Sequence, residues 1–325
     1  MCIAASVLGA VDIPVFVSFD SDNRVDWFYE REEKQVSWDE KYLLRFGIDD
    51  LKHKQLGFDL GMITSANFIE QQVLLDHIRL SYMEGKHKLE AASEVIGFGE
   101  DYILQDLLLT DPRFDGFLFR EMRWNGLCYS FSRNYLETGI GIGGNIHNQA
   151  SAKAQLILSL HRLQLRLAAR TETFDSHHYE PAFTLSLGAD IDIKRIRYKT
   201  DTVYSGIWFF KSGEPKELYH ISQIDLPLKE NNCLYSGIVY EDIDIYSSQN
   251  VELFLGGKAY FGRLGIIPWF DLRQLTDDQI LSANLRCDWQ FYPSGRIGIY
   301  LKHLDVSNGT KHATIGLQSS LRFDF

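Results

Sequence analysis

Near the end of the chain His303, Asp305 and Ser307 recur at a spacing of two and run into Asn308-Gly309. In an extended segment every second side chain lies on one face, so an imidazole, a carboxylate and a hydroxyl stand side by side. A serine becomes a nucleophile when a histidine takes its proton and a third group orients that histidine. The chemistry on offer is ester cleavage. Ser-Asn-Gly is equally an ordinary loop sequence. Gly139–Gly144 (GIGIGG) has the glycines of a phosphate cradle. Glycine alternates there with isoleucine and no helix pattern follows, so the segment reads as strand or loop. Cys2, Cys128, Cys233 and Cys287 lie far apart without metal-ligand spacing and read as packing residues. No zinc motif, phosphate loop or dinucleotide fingerprint is present, and no cofactor or metal is expected.

The formal net charge of -11 repels phosphate and argues against a nucleic-acid partner. No apolar run reaches the roughly 18 residues of a helical membrane span. The 45% hydrophobic fraction matches an ordinary soluble protein. A membrane barrel averages the same way, because its strands show lipid on one face and water on the other. With 16 Tyr, 21 Phe and only 7 Pro, the chain suits a sheet with aromatic girdles, and equally a soluble sandwich.

What must position any site is a series of strands with a period of two. At the end of the chain Ala313, Ile315, Leu317, Leu321, Phe323 and Phe325 share one face, and Thr314, Gly316, Gln318, Ser320, Arg322 and Asp324 the other. The same alternation runs through Tyr42–Ile48, Leu56–Met62, Leu163–Ala169, Phe183–Ile193 and Leu285–Phe291. These runs have the length that a tilted strand needs to cross a bilayer, longer than most soluble strands. Tight turns read at Glu84-Gly85, Asn125-Gly126, His161-Arg162, Lys194-Arg195, Gly262-Arg263 and Pro293–Gly295. Longer polar stretches separate them: Thr64–Gln72, Phe98–Asp115, Arg133–Ala150, Thr173–Glu180, Thr276–Ile280 and Asp305–Lys311. Short turns at one end and long loops at the other are the habit of a transmembrane barrel. The fold class expected is all-β, a closed antiparallel transmembrane barrel with meander order. Counting between connections gives about 18 strands if Val15–Arg31 supplies the first, with about 16 as the alternative.

Residues 1–10, with the apolar run Cys2–Ala10, read as a signal-peptide remnant, and alternatively as a first strand or a disordered stub. Residues 11–325 read as one barrel domain. A final amphipathic strand ending in Phe323 and Phe325 resembles the signal by which outer-membrane barrels are recognised by their assembly machinery. That resemblance implies a bacterial outer membrane, with membrane lipid and the assembly machinery as partners.

The segment Lys88–Arg123 brings a strand into Gly97-Phe98-Gly99 and, after a mixed loop, leaves through Phe114-Asp115-Gly116 into a strand carrying Arg120. In these residues the chain resembles the alginate-export-type and related capsule-associated porins. The family's Gly-Arg-Gln before this element is absent, and Ser93-Glu94 stand near its place. The resemblance implies an 18-stranded barrel with a loop at the constriction, built of Gly97, Phe98, Gly99, Glu100, Asp101, Asp106, Arg113, Phe114, Asp115 and Gly116. The plainer reading is an extracellular loop that packs on its neighbours.

Strand parity turns Arg45, His77, Arg79, Arg120, Arg166, Arg170, Arg286, Arg296, Lys302 and Arg322 inward. Asp49, Asp59, Asp190, Asp192, Asp288 and Asp324 balance them. Arginine facing aspartate across a lumen would set up a transverse field; the plainer reading is that these charges pair with one another. The function expected is therefore a non-enzymatic porin for small hydrophilic solutes, anionic or sugar-like. A non-conducting structural or adhesion barrel is one alternative. A soluble all-β protein is another. A lipid hydrolase using Ser307 and His303 is the last; their arrangement is reminiscent of outer-membrane phospholipases, though with a wider spacing.

Overall fold

Alternation of apolar and polar side chains leaves each strand with one face that shuns water and one that seeks it. In hydrocarbon an unpaired backbone N–H or C=O costs several kcal/mol, so such strands must pair on both edges until the sheet closes. The computed structural model does so. It describes residues 15–30, 33–51, 56–67, 71–96, 122–145, 150–172, 182–208, 217–228, 232–243, 248–274, 278–292 and 295–324.

The strands are β1 (Val15–Glu30), β2 (Glu33–Leu51), β3 (Leu56–Asn67), β4 (Gln71–Glu84), β5 (His87–Ile96) and β6 (Met122–Arg133). There follow β7 (Leu136–Asn145), β8 (Ala150–Leu160), β9 (Leu163–Glu172), β10 (Ala182–Ile193), β11 (Ile196–Trp208) and β12 (Glu217–Pro227). The sheet ends with β13 (Cys233–Ile243), β14 (Ser248–Phe261), β15 (Leu264–Gln274), β16 (Gln279–Tyr292), β17 (Gly295–Val306) and β18 (Lys311–Asp324). Each pairs antiparallel with its neighbours in sequence, and β1 pairs with both β2 and β18, closing an 18-stranded meander. The first strand expected over Val15–Arg31 is β1.

The two faces differ as the pattern demands. Leu187, Leu255, Phe270, Ile299 and Ile315 are exposed on the outside. Their neighbours Ser186, Phe254, Asp271, Tyr300 and Thr314 are buried on the inside. An apolar outer band on a barrel without edges is what a bilayer solvates, so the chain spans a membrane.

Three expectations about connections are corrected. Asn125-Gly126 lies inside β6, paired with Gly144 and Gly143 of β7. The reversal falls instead at Asn134-Tyr135, where Asn134 takes the left-handed φ of 51°. The outward run Leu127, Tyr129, Phe131 continues past Asn-Gly, and pairing with β5 and β7 outweighs a two-residue turn preference. Arg133–Ala150 is accordingly not a long loop but a turn and β7. Likewise β3 extends to Asn67 and β4 opens at Gln71, so little of Thr64–Gln72 remains as connection. His161-Arg162 and Lys194-Arg195 are tight turns, as expected. Residues 1–14 lie outside the described residues.

Candidate channel lumen

Cross-strand register decides which side chains share a face, because directly paired residues point the same way. Thr314 is buried inside and pairs with Asp26 and Lys302; from there the inward set can be followed around the barrel. Arg45 (paired with Ser18 and Gly61), His77, Arg79, Arg166, Arg286, Arg296, Lys302 and Arg322 all stand on the inward face. So do Asp59, Asp190, Asp192, Asp288 and Asp324. Arg170 lies in β9 and Asp49 in β2, with side chains outside those described. Arg120 and the whole expected constriction loop, Gly97 to Gly116, lie outside the described residues, as does Phe325. Phe323 faces outward and is exposed.

These inward charges are held locally. Arg286 donates to Asp288 at 2.8 Å, and Arg296 approaches the same carboxylate at 3.8 Å. Arg166 bonds Asp201 at 3.0 Å, and His77 meets Asp59 at 3.0 Å. Arg79 lies 3.8 Å from Glu90, which Lys88 also contacts. Arg322 bonds Asp324 at 2.8 Å while its guanidinium sits 4.3 Å over the Phe16 ring. Each of these pairs lies within one wall, the plainer of the two arrangements, and not across the lumen. The reason is reach: same-face neighbours on a sheet lie about 5–8 Å apart, whereas opposite walls of a barrel this size leave an aqueous gap between them.

Several inward acids were not singled out from the sequence. Asp26 accepts hydrogen bonds from Thr314 at 2.5 Å and His312 at 3.0 Å, with Arg24 at 3.4 Å. Glu252 receives Arg273 at 3.0 Å, Glu241 receives Asn250 at 2.7 Å, and Asp271 receives Ser282 and Asn284. Their signal was the parity itself, which in β13–β16 mixes aromatic and charged residues on the inner face. Tyr219, Tyr235, Phe254, Trp269 and Tyr300 are all inside and buried.

The hydrolase arrangement at Ser307 does not form. His303 points outward and bonds Asp305 at 3.3 Å. Ser307 stands in the turn after β17, donates to Asp278 at 3.1 Å and accepts from the Gln279 amide at 3.0 Å. The two side chains are tied to different partners because β17 ends before Ser307, which turns toward the start of β16 instead of continuing the outward row.

A different hydroxyl–imidazole arrangement lies on the outer face of β11 and β12. There the inward residues Asp201, Val203, Tyr219, Ile221 and Gln223 are buried, so Tyr198, Thr200, Thr202, His220 and Ser222 point outward, half-buried. His220 Nδ1 lies 2.9 Å from Thr202 Oγ1, and its Nε2 lies 2.8 Å from Ser222 Oγ. Ser222 Oγ is also 3.1 Å from the Tyr198 hydroxyl and 3.1 Å from Thr200 Oγ1; Thr200 in turn donates to the Ile221 carbonyl at 3.0 Å. The sequence signal was His-Ile-Ser at a spacing of two within a strand.

No protein-family model matches the sequence, and no curated protein matches it. Among solved structures it is similar to OpdO of Pseudomonas aeruginosa, with a TM-score of 0.62 at 10% identity, over 96% of this chain and 97% of that one. It is similar to the outer membrane protein OpdK of the same organism, with a TM-score of 0.59 at 8% identity, over 96% and 99% of the two chains. OpdQ, also from Pseudomonas aeruginosa, gives 0.61 at 10% identity over 97% and 98%. They lend the finer expectation of an alginate-export-type porin no support. At such identities the likeness is one of fold: this chain has the 18-stranded barrel of outer-membrane porins.

Proposed function

We propose that the chain is an outer-membrane channel for the passive passage of small hydrophilic solutes. One observation carries this reading. The closed barrel is apolar outside, while its inner wall bears guanidinium, carboxylate, amide and hydroxyl groups on nearly every described strand. Passage down such a wall needs no chemical step. Many of the described inward arginines have carboxylate neighbours, so the wall offers donors and acceptors side by side, which suits a sugar-like, hydroxyl-rich solute better than a simple anion. The test is single-channel conductance of the refolded protein in planar bilayers, with the reversal potential read in a salt gradient. Stable ohmic steps with weak ion preference are expected. Insertion without conductance would overturn the reading.

That outcome would favour a second reading, a structural barrel with a filled interior. The dense packing of Gln223, Tyr235 and Glu241 along the wall, each only 1% exposed, is the observation behind it. Sugar-dependent blocking of the current separates a solute channel from a merely leaky wall.

A further inference from the structure

We propose that the outer-face cluster on β11 and β12 is a catalytic site for lipid acyl esters, with Ser222 as nucleophile, His220 as general base and Thr202 as the group that positions the histidine. The argument begins with an inverted pattern. On most of the other described strands the outward residues of mid-strand are mainly apolar, because hydrocarbon offers polar groups no partners, with Ser21, Asn23 and Ser319 at the seam as a smaller polar group that holds no imidazole. On β11 and β12 the outward face carries four hydroxyls and an imidazole, while Val203 and Ile221 point inward. A cluster this polar is costly on a lipid-facing wall, and such residues mark function by default.

The hydrogen bonds give the cluster a direction. With its proton on Nδ1 the imidazole donates to Thr202 Oγ1 at 2.9 Å and leaves the Nε2 lone pair for the Ser222 hydroxyl at 2.8 Å; the other tautomer reverses both bonds, and the first is the reactive form. Hydroxyl, base and orienting group therefore stand in the order that nucleophilic acyl transfer requires. The Tyr198 hydroxyl, 3.1 Å from Ser222 Oγ, is within reach of an oxygen bonded to the same carbon as Oγ.

The position selects the substrate. Thr202, His220, Tyr240 and Val251 form one cross-strand row. The next outward pair on β13 and β14 is Asp242 with Gln249, where the polar surface begins. On β13 and β14 the row is thus the last apolar one toward the end opposite the tight turns, and on β11 and β12 one further outward pair, Tyr204 with Leu218, lies beyond it. Ester carbonyls of membrane lipids lie at this boundary between hydrocarbon and headgroup.

The step balances with water as the only co-reactant. Ser222 Oγ bonds to the acyl carbon while its proton moves to His220 Nε2, and the carbonyl π pair becomes an oxyanion. Collapse breaks the ester C–O bond, and His220 returns the proton to the leaving alcohol. Water then attacks the acyl-serine in the same sense, giving the fatty acid and restoring Ser222.

The test uses the full refolded chain in mixed micelles containing a diacyl phosphatidylethanolamine. Fatty-acid release is measured, and the serine labelled by a fluorophosphonate is located by peptide mass spectrometry. Heat-modifiable migration on gels checks that every variant is folded. Expected are release by the native chain, label on Ser222, and loss of both in Ser222→Ala. In His220→Ala release falls about a hundredfold or more. Thr202→Val lowers kcat about tenfold with KM unchanged, and Thr202→Ser restores it. Ser236→Ala, an outward serine on the next strand, changes nothing. No release by the folded native chain, or undiminished release in Ser222→Ala, overturns the proposal; cross-linking of copies through β11 and β12 in that case identifies the cluster as a polar contact between subunits.

Discussion

The ring of Tyr300 on β17 occupies the space in which a side chain at Gly316 on β18 would stand. The two residues are directly paired, and a Cβ at Gly316 would come within 1.9 Å of the ring carbon Cζ. The Tyr300 hydroxyl then reaches Asp22 on β1 at 3.1 Å, so one side chain links three strands across the seam where the barrel closes. Phe16 over Gly47, Tyr235 over Gly256 and Phe254 over Gly237 repeat the arrangement on the inner wall. Aromatic residues that suited an outer girdle by composition serve here as inward packing against glycine.

A substitution at Gly316 should therefore act on assembly of the seam. Gly316→Val must displace a ring that is only 1% exposed, and a loss of about 1–3 kcal/mol is expected for such overpacking. Gly139→Ala is the comparison, because its new Cβ meets only the flexible end of Gln155 at 3.0–3.3 Å. Urea unfolding of the refolded barrels should show a lower midpoint for the first and little change for the second. Equal midpoints would mean that Tyr300 moves aside without cost.

The ion pair of Arg166 with Asp201 makes a prediction about selectivity. Both groups face the lumen from β9 and β11, at 3.0 Å. Arg166→Gln leaves a carboxylate on the wall and should shift the reversal potential toward cations. Asp201→Asn leaves a guanidinium and should shift it toward anions. Shifts of opposite sign are the required result; shifts of one sign, or none, would place this pair away from the ion path.

How far these features could be read beforehand depended on where the alternation was clean. β18 and β10 show apolar residues on one face and polar ones on the other, and their parity gave the inward set around Arg322 and Asp190. The strand count follows from the connections instead, and β1 from the need for an even number of strands. The outer cluster was hidden by that very rule. In β12 His220 and Ser222 point to lipid while Tyr219 and Ile221 point inward, so the pattern over this stretch gives no preferred face. His303 and Ser307 stand out in the sequence instead, but their spacing holds only while the strand continues, and β17 stops at Val306. The turn at Asn134-Tyr135 is hidden for a related reason. Asn-Gly is a strong local signal, but the pairing of β6 extends through it.

The buried pair of Glu252 and Arg273 tests the stability of the inner wall. Their side chains are 3% and 5% exposed, and two guanidinium nitrogens reach one carboxylate oxygen at 3.0 and 3.2 Å. Glu252→Ala removes the carboxylate that accepts two bonds from the buried Arg273 guanidinium, and a loss of about 3–5 kcal/mol is expected. Replacing both residues, Glu252→Met with Arg273→Met, should recover most of it, because the desolvation cost of both charges disappears. Urea midpoints for the single and double variants decide this. A double variant no better than Glu252→Ala would mean that the wall needs the charges for packing and hydrogen bonding beyond the pair itself.

The cysteines offer a direct reading of which side of each strand meets water. Cys128 pairs with Glu90 and Gly141 and so faces the lumen; Cys233 pairs with Lys258 and faces it near the end with the tight turns. Cys287 pairs with Ile266 and Ile299 in the outer apolar band. A charged methanethiosulfonate reagent is soluble in the lumen and excluded from hydrocarbon. In a Cys2→Ser background, with the barrel in a bilayer, Cys128 and Cys233 should react and Cys287 should not. If the pore conducts, attachment at Cys128 should lower the current, since its strand neighbours across the wall are small: Gly139, Gly141 and Gly143 stand on the inward face of β7. Cys128→Ser should remove that sensitivity. Reaction at Cys287 as fast as at Cys128 would instead put the outer face of β16 in contact with water and break the assignment of inside and outside on which the channel reading rests.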